Sequence, residues 1–276
     1  MKKTSSIYAR LCAAPYLIWS VIFIFAPLLF VGYYAFTDAS GAFSFDNILN
    51  LNQYGGIFIQ SILYGMITTV ICLLIAFPFA YMISLRSTRY QSTVIMLIML
   101  PMWMNLLIRT YSWMNILEEN GIINTILGFF DIAPIKMLGT PGAVILGMVY
   151  NFLPYMILPI YTVITKMDKN VIEAAQDLGC NRFNVITRVA LPLCVPGIAS
   201  GITMVFVPSV STFYISQKLG GTSDVLVGDM IEFHFKQSND FNIGATLSLV
   251  LMVLLLICMA LMNTFTGDDE DGGMIV

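Results

Sequence analysis

The sequence predicts an all-α membrane protein with six transmembrane helices and both termini cytoplasmic, and three observations carry that prediction: composition, the spacing of charges, and the placement of Lys and Arg. Of 276 residues, 58% are apolar and 11% charged, with a mean hydropathy of +0.83; an average soluble domain is roughly a quarter charged. No charge falls between Arg10 and Asp38, Asp46 and Arg86, Arg89 and Arg109, Lys136 and Lys166, Arg188 and Lys218, or Asp240 and Asp268. Each interval holds the ~20 apolar residues that a membrane-spanning helix needs.

Apolar density places the spans near 13 to 36, 58 to 84, 92 to 115, 141 to 165, 193 to 216 and 243 to 265. The first follows Lys2, Lys3 and Arg10 as a signal peptide would, but it runs to Thr37 without a small-residue cleavage site, so a retained helix is expected. The apolar stretch 121 to 130 is too short to cross and reads as a surface helix before Asp131 and Pro134. The whole chain, 1–276, is read as a single transmembrane domain.

Positively charged loops stay cytoplasmic. One side of the predicted topology holds nine bases (Lys2, Lys3, Arg10, Arg86, Arg89, Lys166, Lys169, Arg182, Arg188) and the other three, Lys136, Lys218 and Lys236. Nine acids join those three on the outer side: Asp38, Asp46, Glu118, Glu119, Asp131, Asp224, Asp229, Glu232 and Asp240. An acidic vestibule would concentrate a cationic solute; equally, acids could fill that side because the bases are kept inside. The net charge of −3 gives no reason to expect nucleic acid.

Several chemistries are excluded. There is no Gly-Lys dipeptide, hence no nucleotide-binding P-loop, and the chain is not expected to hydrolyse ATP. The five cysteines form no C-x-x-C pair and His234 is the only histidine, so no metal site is expected, and His234 reads as an outer-loop residue.

The longest inner loop, 166–192, is the most informative segment. Asp168 is placed to cap a short helix containing Val171 to Leu178, and Gly179 to end it. A second short helix, Arg182 to Ala190, is expected to break at Pro192. Val171, Ile172, Ala175 and Leu178 share one face, which either docks on a partner or packs on the chain's own helices.

Glu173-Ala174-Ala175, then Gly179, then Val189-Ala190-Leu191-Pro192, resembles the EAA loop of ABC-importer permeases, with Val189 in place of the usual Ile. Pro101 to Tyr111, Met167-Asp168-Lys169, Pro196-Gly197-Ile198, Phe213 to Ser216 and Gly220-Gly221 are similar, in order and spacing, to the PotB-type permeases of spermidine/putrescine importers. That resemblance implies the type I ABC-importer permease fold in a bacterial inner membrane. It also implies a second permease of PotC type, a PotA-type ATPase dimer that uses ATP and Mg, and an outer polyamine-binding protein of PotD type; no cofactor is expected on this chain. Glu173, Ala174, Ala175, Gly179, Leu191 and Pro192 are then the residues that couple to the ATPase. The acidic run Asp268 to Asp271 has no counterpart in the resemblance.

For a polyamine path, aromatic faces and neutral oxygens suit a chain of ammonium groups. Depth counting puts Trp103, Tyr150, Asn151 and the stretch 205 to 208 at one level, with Pro101 and Pro208 loosening their helices. The candidates are Trp103, Asn105, Tyr150, Asn151, Tyr155, Ser209, Ser211, Thr212 and Tyr214, each of which could instead serve helix packing. Arg109 is expected near the outer interface, reaching toward Glu118 or Glu119. Alternatives are a permease for another organic solute or a metal complex, or a self-sufficient secondary transporter or channel; the absence of Asp and Glu from all six spans counts against the last.

Overall fold

The structure is a computed structural model that describes residues 15–38, 41–221 and 224–266. Lys2, Lys3, Arg10, Cys12 and the acidic run 268–271 lie outside the described residues. The described residues are almost entirely helical, apart from loops and one isolated antiparallel bridge between Thr37 and Phe43. The helices are α1 (Pro15–Ala35), α2 (Gly55–Ser84), α3 (Thr88–Met99), α4 (Leu106–Leu117), α5 (Ile122–Phe129) and α6 (Pro141–Lys166). They continue with α7 (Lys169–Asp177), α8 (182–193), α9 (Val195–Ser211), α10 (Tyr214–Leu219), α11 (Val227–Lys236) and α12 (Phe241–Thr266).

Four of the expected spans are single helices: α1, α2, α6 and α12. The other two are broken. Thr88–Trp103 and Leu106–Phe129 meet at 92°, and Ile186–Leu193 and Val195–Ser211 meet at 65°, so the count reaches six only if each bent pair crosses once. Pro101 begins a 3-10 turn, Met104 is extended, and Asn105 restarts the helix by accepting a hydrogen bond from the Leu107 amide at 2.7 Å. The expected span 193 to 216 stops at Ser211 because Thr212 is extended. Pro208 stays inside α9 without ending it.

Pro192 does not break its helix either. The preceding turn, Ile186–Ala190, is a π turn in which the Leu191 amide reaches back to the Ile186 carbonyl. That wider turn accommodates a residue with no N–H to give and a ring that crowds the carbonyl four positions back. The same arrangement precedes Pro27, where π turn Val21–Phe25 ends with the Ala26 amide bonded to the Val21 carbonyl.

The chain divides into two compact units. One comprises residues 1–55 and 230–253. In it α12 is tied to the end of α1 by Thr246, whose hydroxyl donates to the Ala35 carbonyl at 3.3 Å, and by Asn242, which donates to the Thr37 carbonyl. His234, expected in a loop, lies on α11, where it is buried beside Tyr54 with 3.2 Å between the hydroxyl and Nε2. The long apolar face of α1 is exposed, as suits a helix solvated by lipid.

The second unit comprises 56–229 and 254–276. Its core joins Cys72, Ala76 and Ala80 of α2 to Met156, Ile157 and Ile160 of α6, with Ala190, Cys194 and Val205 closing the cluster. Helices α6 and α9 approach closely because Gly197 and Gly201 leave room: a Cβ on Gly197 would lie 2.9 Å from the Pro159 carbonyl oxygen, and one on Gly201 2.7 Å from Met156 Sδ. A second cluster packs Val144 and Met148 of α6 against Ile215 and Leu219 of α10 and Leu226. α11 starts under two side-chain caps. Ser61 Oγ of α2 accepts from the Val227 amide at 2.8 Å, and Asp229 reaches back to the Leu226 amide at 2.7 Å.

A Gly197→Val substitution should overpack the α6–α9 contact by about 1–3 kcal/mol and lower the thermal unfolding midpoint of the detergent-purified protein. Gly128→Ala, where an added Cβ meets nothing within 4 Å, should leave that midpoint in place.

Candidate coupling and translocation sites

The segment after α6 folds as the sequence predicts and for the same local reasons. Asp168 Oδ1 accepts from the Asn170 amide at 3.0 Å and caps α7. At the other end Gly179 takes φ +82°, the left-handed region that glycine enters without steric cost. Its amide bonds the Gln176 carbonyl at 2.9 Å, and the Cys180 amide bonds the Ala175 carbonyl at 3.1 Å. This paired closure fixes a sharp reversal. Asn181 then caps α8 by accepting from the Asn184 amide at 2.8 Å.

The apolar face of α7 divides between two environments. The helix packs on α8, with Ile172 and Ala175 half-buried. Val171, Glu173, Ala174 and Leu178 are exposed, Leu178 at 86%. An exposed leucine beside small alanines and a carboxylate makes a short docking ridge. Leu191 and Pro192 are also exposed, whereas Ala190 between the π turn and Leu191 is buried in the α2–α6 core.

The nine path candidates have separate local partners. Trp103, at the end of the 3-10 turn, is 77% exposed. Asn105 spends its carboxamide oxygen on capping α4. Tyr150 is half-buried, its ring edge-on to Trp113 at 5.4 Å, and Tyr155 is partly exposed beside Phe152. Asn151 is buried; its amide donates to the Gly147 carbonyl at 2.8 Å, while its Oδ1 has no partner. Ser209 and Ser211 donate to carbonyls of their own helix at 2.6 and 3.0 Å, and Thr212 forms the extended break. Tyr214 meets Tyr111 edge-on at 6.4 Å. Among the described residues no side-chain hydrogen bond or ring contact joins any two of the nine.

Two expectations about charge change. Asp224 and Asp229 do not face an outer vestibule but are buried. Asp224 Oδ1 accepts from the Tyr64 hydroxyl at 2.7 Å and from Gln60 at 3.2 Å, and Asp229 Oδ1 accepts from Ser216 at 2.9 Å. Hydropathy gave no sign of this, although an acid two residues into a helix is a readable capping signal for Asp229. Among the described residues Arg109 forms no ion pair with Glu118 or Glu119, and its buried Nε has no hydrogen-bond partner.

Comparison with known proteins shows the family. The family described as "Binding-protein-dependent transport system inner membrane component" matches residues 88–267. The spermidine/putrescine transport system permease protein PotB of Haemophilus influenzae is 38% identical over 265 residues, 92% of this chain and 93% of that protein. PotB of Escherichia coli is 35% identical over 248 residues, 86% of this chain and 90% of that protein. The fold is similar to a chain of a bacterial ABC transporter that imports alginate, with TM-score 0.77, 22% identity and 94% coverage of each chain. A chain of a bacterial alginate ABC transporter in complex with alginate pentasaccharide-bound periplasmic protein gives TM-score 0.76 at 20% identity, covering 98% of this chain and 96% of that one. The chain therefore belongs to the inner-membrane permeases of binding-protein-dependent ABC transporters.

Proposed function

We propose that this chain is one of two permease subunits of an ATP-driven polyamine importer. It would form half of the translocation path as a single domain with both termini cytoplasmic. The observation that carries the reading is the 38% identity, along 92% of the chain, to a spermidine/putrescine permease. The chemistry of the chain supports it: Trp103, Tyr150, Tyr155 and Tyr214 offer aromatic faces to ammonium groups, and the spans lack a carboxylate that would hold a polycation too firmly.

In this reading α7 docks in a cleft of a PotA-type ATPase, which binds and hydrolyses ATP with Mg, so that this subunit is not itself an enzyme. A PotD-type binding protein delivers solute at the outer face, and no nucleic acid takes part. Nucleotide-driven closure moves α7, and the closed turn at Gly179 carries that motion into α8 as a rigid displacement. Exposed Leu178 and Ala174 supply the apolar contact, and Glu173 a charge-assisted hydrogen bond.

Gly179→Asp should abolish uptake while the protein still reaches the membrane and binds its partners weakly, because any side chain is strained at φ +82°. Glu173→Lys should act in the same direction. Normal uptake of radiolabelled spermidine by either variant in proteoliposomes would remove α7 from the coupling role.

Trp103→Leu and Tyr150→Leu should each reduce spermidine uptake about threefold or more, in line with the loss of one cation–π contact, with assembly unchanged. Single-cysteine labelling at positions 103 and 150 provides the check: labelling confined to lipid-soluble reagents in every nucleotide state would take both residues off the path.

One permease offers one docking helix, whereas two closing ATPase subunits present two clefts. The second is proposed to be filled by a non-identical PotC-type permease. Native mass spectrometry of the active complex should show one copy of this chain beside a different permease; two copies with no other permease would establish a symmetric homodimer instead.

A further inference from the structure

Lys218 occupies an unexpected position for a protein proposed to carry cations. Its ammonium nitrogen lies 5.5 Å from the ring centroid of Tyr111 and 6.0 Å from that of Tyr214. The two rings, from α4 and α10, meet at 81° with centroids 6.4 Å apart, and both lie within about 6 Å of the one ammonium. Among the described residues no carboxylate pairs with Lys218. The acids nearest in sequence are engaged elsewhere, Asp224 by Tyr64 and Gln60 and Asp229 by Ser216 and the Leu226 amide.

The rings stand beside irregular backbone. Tyr214 follows the extended Thr212, and α4, which carries Tyr111, begins directly after the break at Asn105. Non-helical backbone at membrane depth is tolerated where it is buried in protein or lines a water-filled cavity. Tyr111 is 42% exposed and Lys218 half-buried, so other elements of this chain do not cover the pair completely.

We propose that Tyr111 and Tyr214 form a binding site for an alkylammonium group, and that Lys218 is its tethered resident, displaced when the ammonium of a transported solute arrives. The lysine side chain ends in a primary alkylammonium, the same chemical group that terminates a polyamine, so one geometry serves both. Attraction to aromatic faces decides in favour of the site over a bare fixed charge, which would only repel an incoming cation. A tethered competitor lowers apparent affinity by the fraction of time it leaves the site free; occupancy of about nine-tenths weakens binding about tenfold. The choice of a polyamine as the displacing solute rests on the function proposed above.

The test is binding of radiolabelled spermidine, and separately of tetraethylammonium, to the purified importer complex without its binding protein. Lys218→Met should bind both about three- to tenfold more tightly than the unmodified complex. The gain should vanish in Lys218→Met/Tyr111→Leu and persist in Lys218→Met/Tyr111→Phe, which keeps the ring. If the Leu double variant fails to assemble, Lys218→Met/Tyr214→Leu takes its place. No gain in Lys218→Met overturns the proposal, as does an equal gain without either ring, which would mark a long-range charge effect. Spermidine uptake by the unmodified complex separates the two readings. If uptake is normal and Lys218→Met shows no gain, the subsite falls and the polyamine function stands. Ring-dependent gain in tetraethylammonium binding without polyamine uptake retains the subsite and removes the polyamine.

Discussion

The structure depends on one constraint: wherever this apolar chain departs from helix geometry, the freed amide and carbonyl groups need partners, because hydrocarbon supplies none. Several departures show how such partners are supplied. At the break between α3 and α4 the carboxamide of Asn105 takes the Leu107 amide. At the start of α11, Ser61 and Asp229 take the Val227 and Leu226 amides. Before Pro27 and Pro192 the backbone widens into π turns that keep the ladder intact where proline lacks its N–H. Polar side chains in the apolar segments are thus mostly committed to backbone, as Asn105, Ser209 and Ser211 show.

The same constraint shapes the route from docking helix to membrane core. Because Pro192 is absorbed, α8 continues to Leu193, and the 65° turn comes at Cys194. Ala190 and Cys194 are buried in the cluster that contains Met156 and Ile160 of α6, and α9 leaves that turn packed on α6 through Gly197 and Gly201. A displacement of α7 in the proposed importer therefore meets close-packed neighbours rather than a flexible joint. Close packing with small residues transmits position, since interiors of this density have little slack to take up motion.

Much of this was legible in the sequence, and the exceptions have one physical origin. The positions of the spans follow from charge-free intervals, and the cap and reversal of α7 follow from Asp168 and Gly179. Hydropathy reports composition and not direction, so a 92° break between Trp103 and Leu106 leaves the profile of a straight span. Asn105, a capping residue inside an apolar run, was the available sign; Pro101 alone was not, since Pro78, Pro154, Pro159 and Pro208 lie inside unbroken helices. His234, Asp224 and Asp229 were assigned to outer loops because polar residues usually are. The burial of His234 and Asp224 comes from Tyr54 and Tyr64, more than a hundred residues away, contacts that no local pattern encodes; for Asp229 only the capping of α11 is local.

That burial bears on how a cation could pass. Asp224 and Asp229 are the carboxylates nearest the broken end of α9, and each accepts hydrogen bonds from hydroxyl, carboxamide or amide groups. Asp229 is compensated in this way on both oxygens without an ammonium partner, whereas Asp224 keeps a buried Oδ2 that has no hydrogen-bond partner. Aromatic rings are left as the principal cation-attracting groups among the candidates, and Lys218 already rests on two of them. Such contacts are individually weak. Weakness suits a path, because a site that held a polycation by ion pairs would have to break them at a desolvated depth to let it leave, whereas an aromatic face exchanges one alkylammonium for another at little net cost.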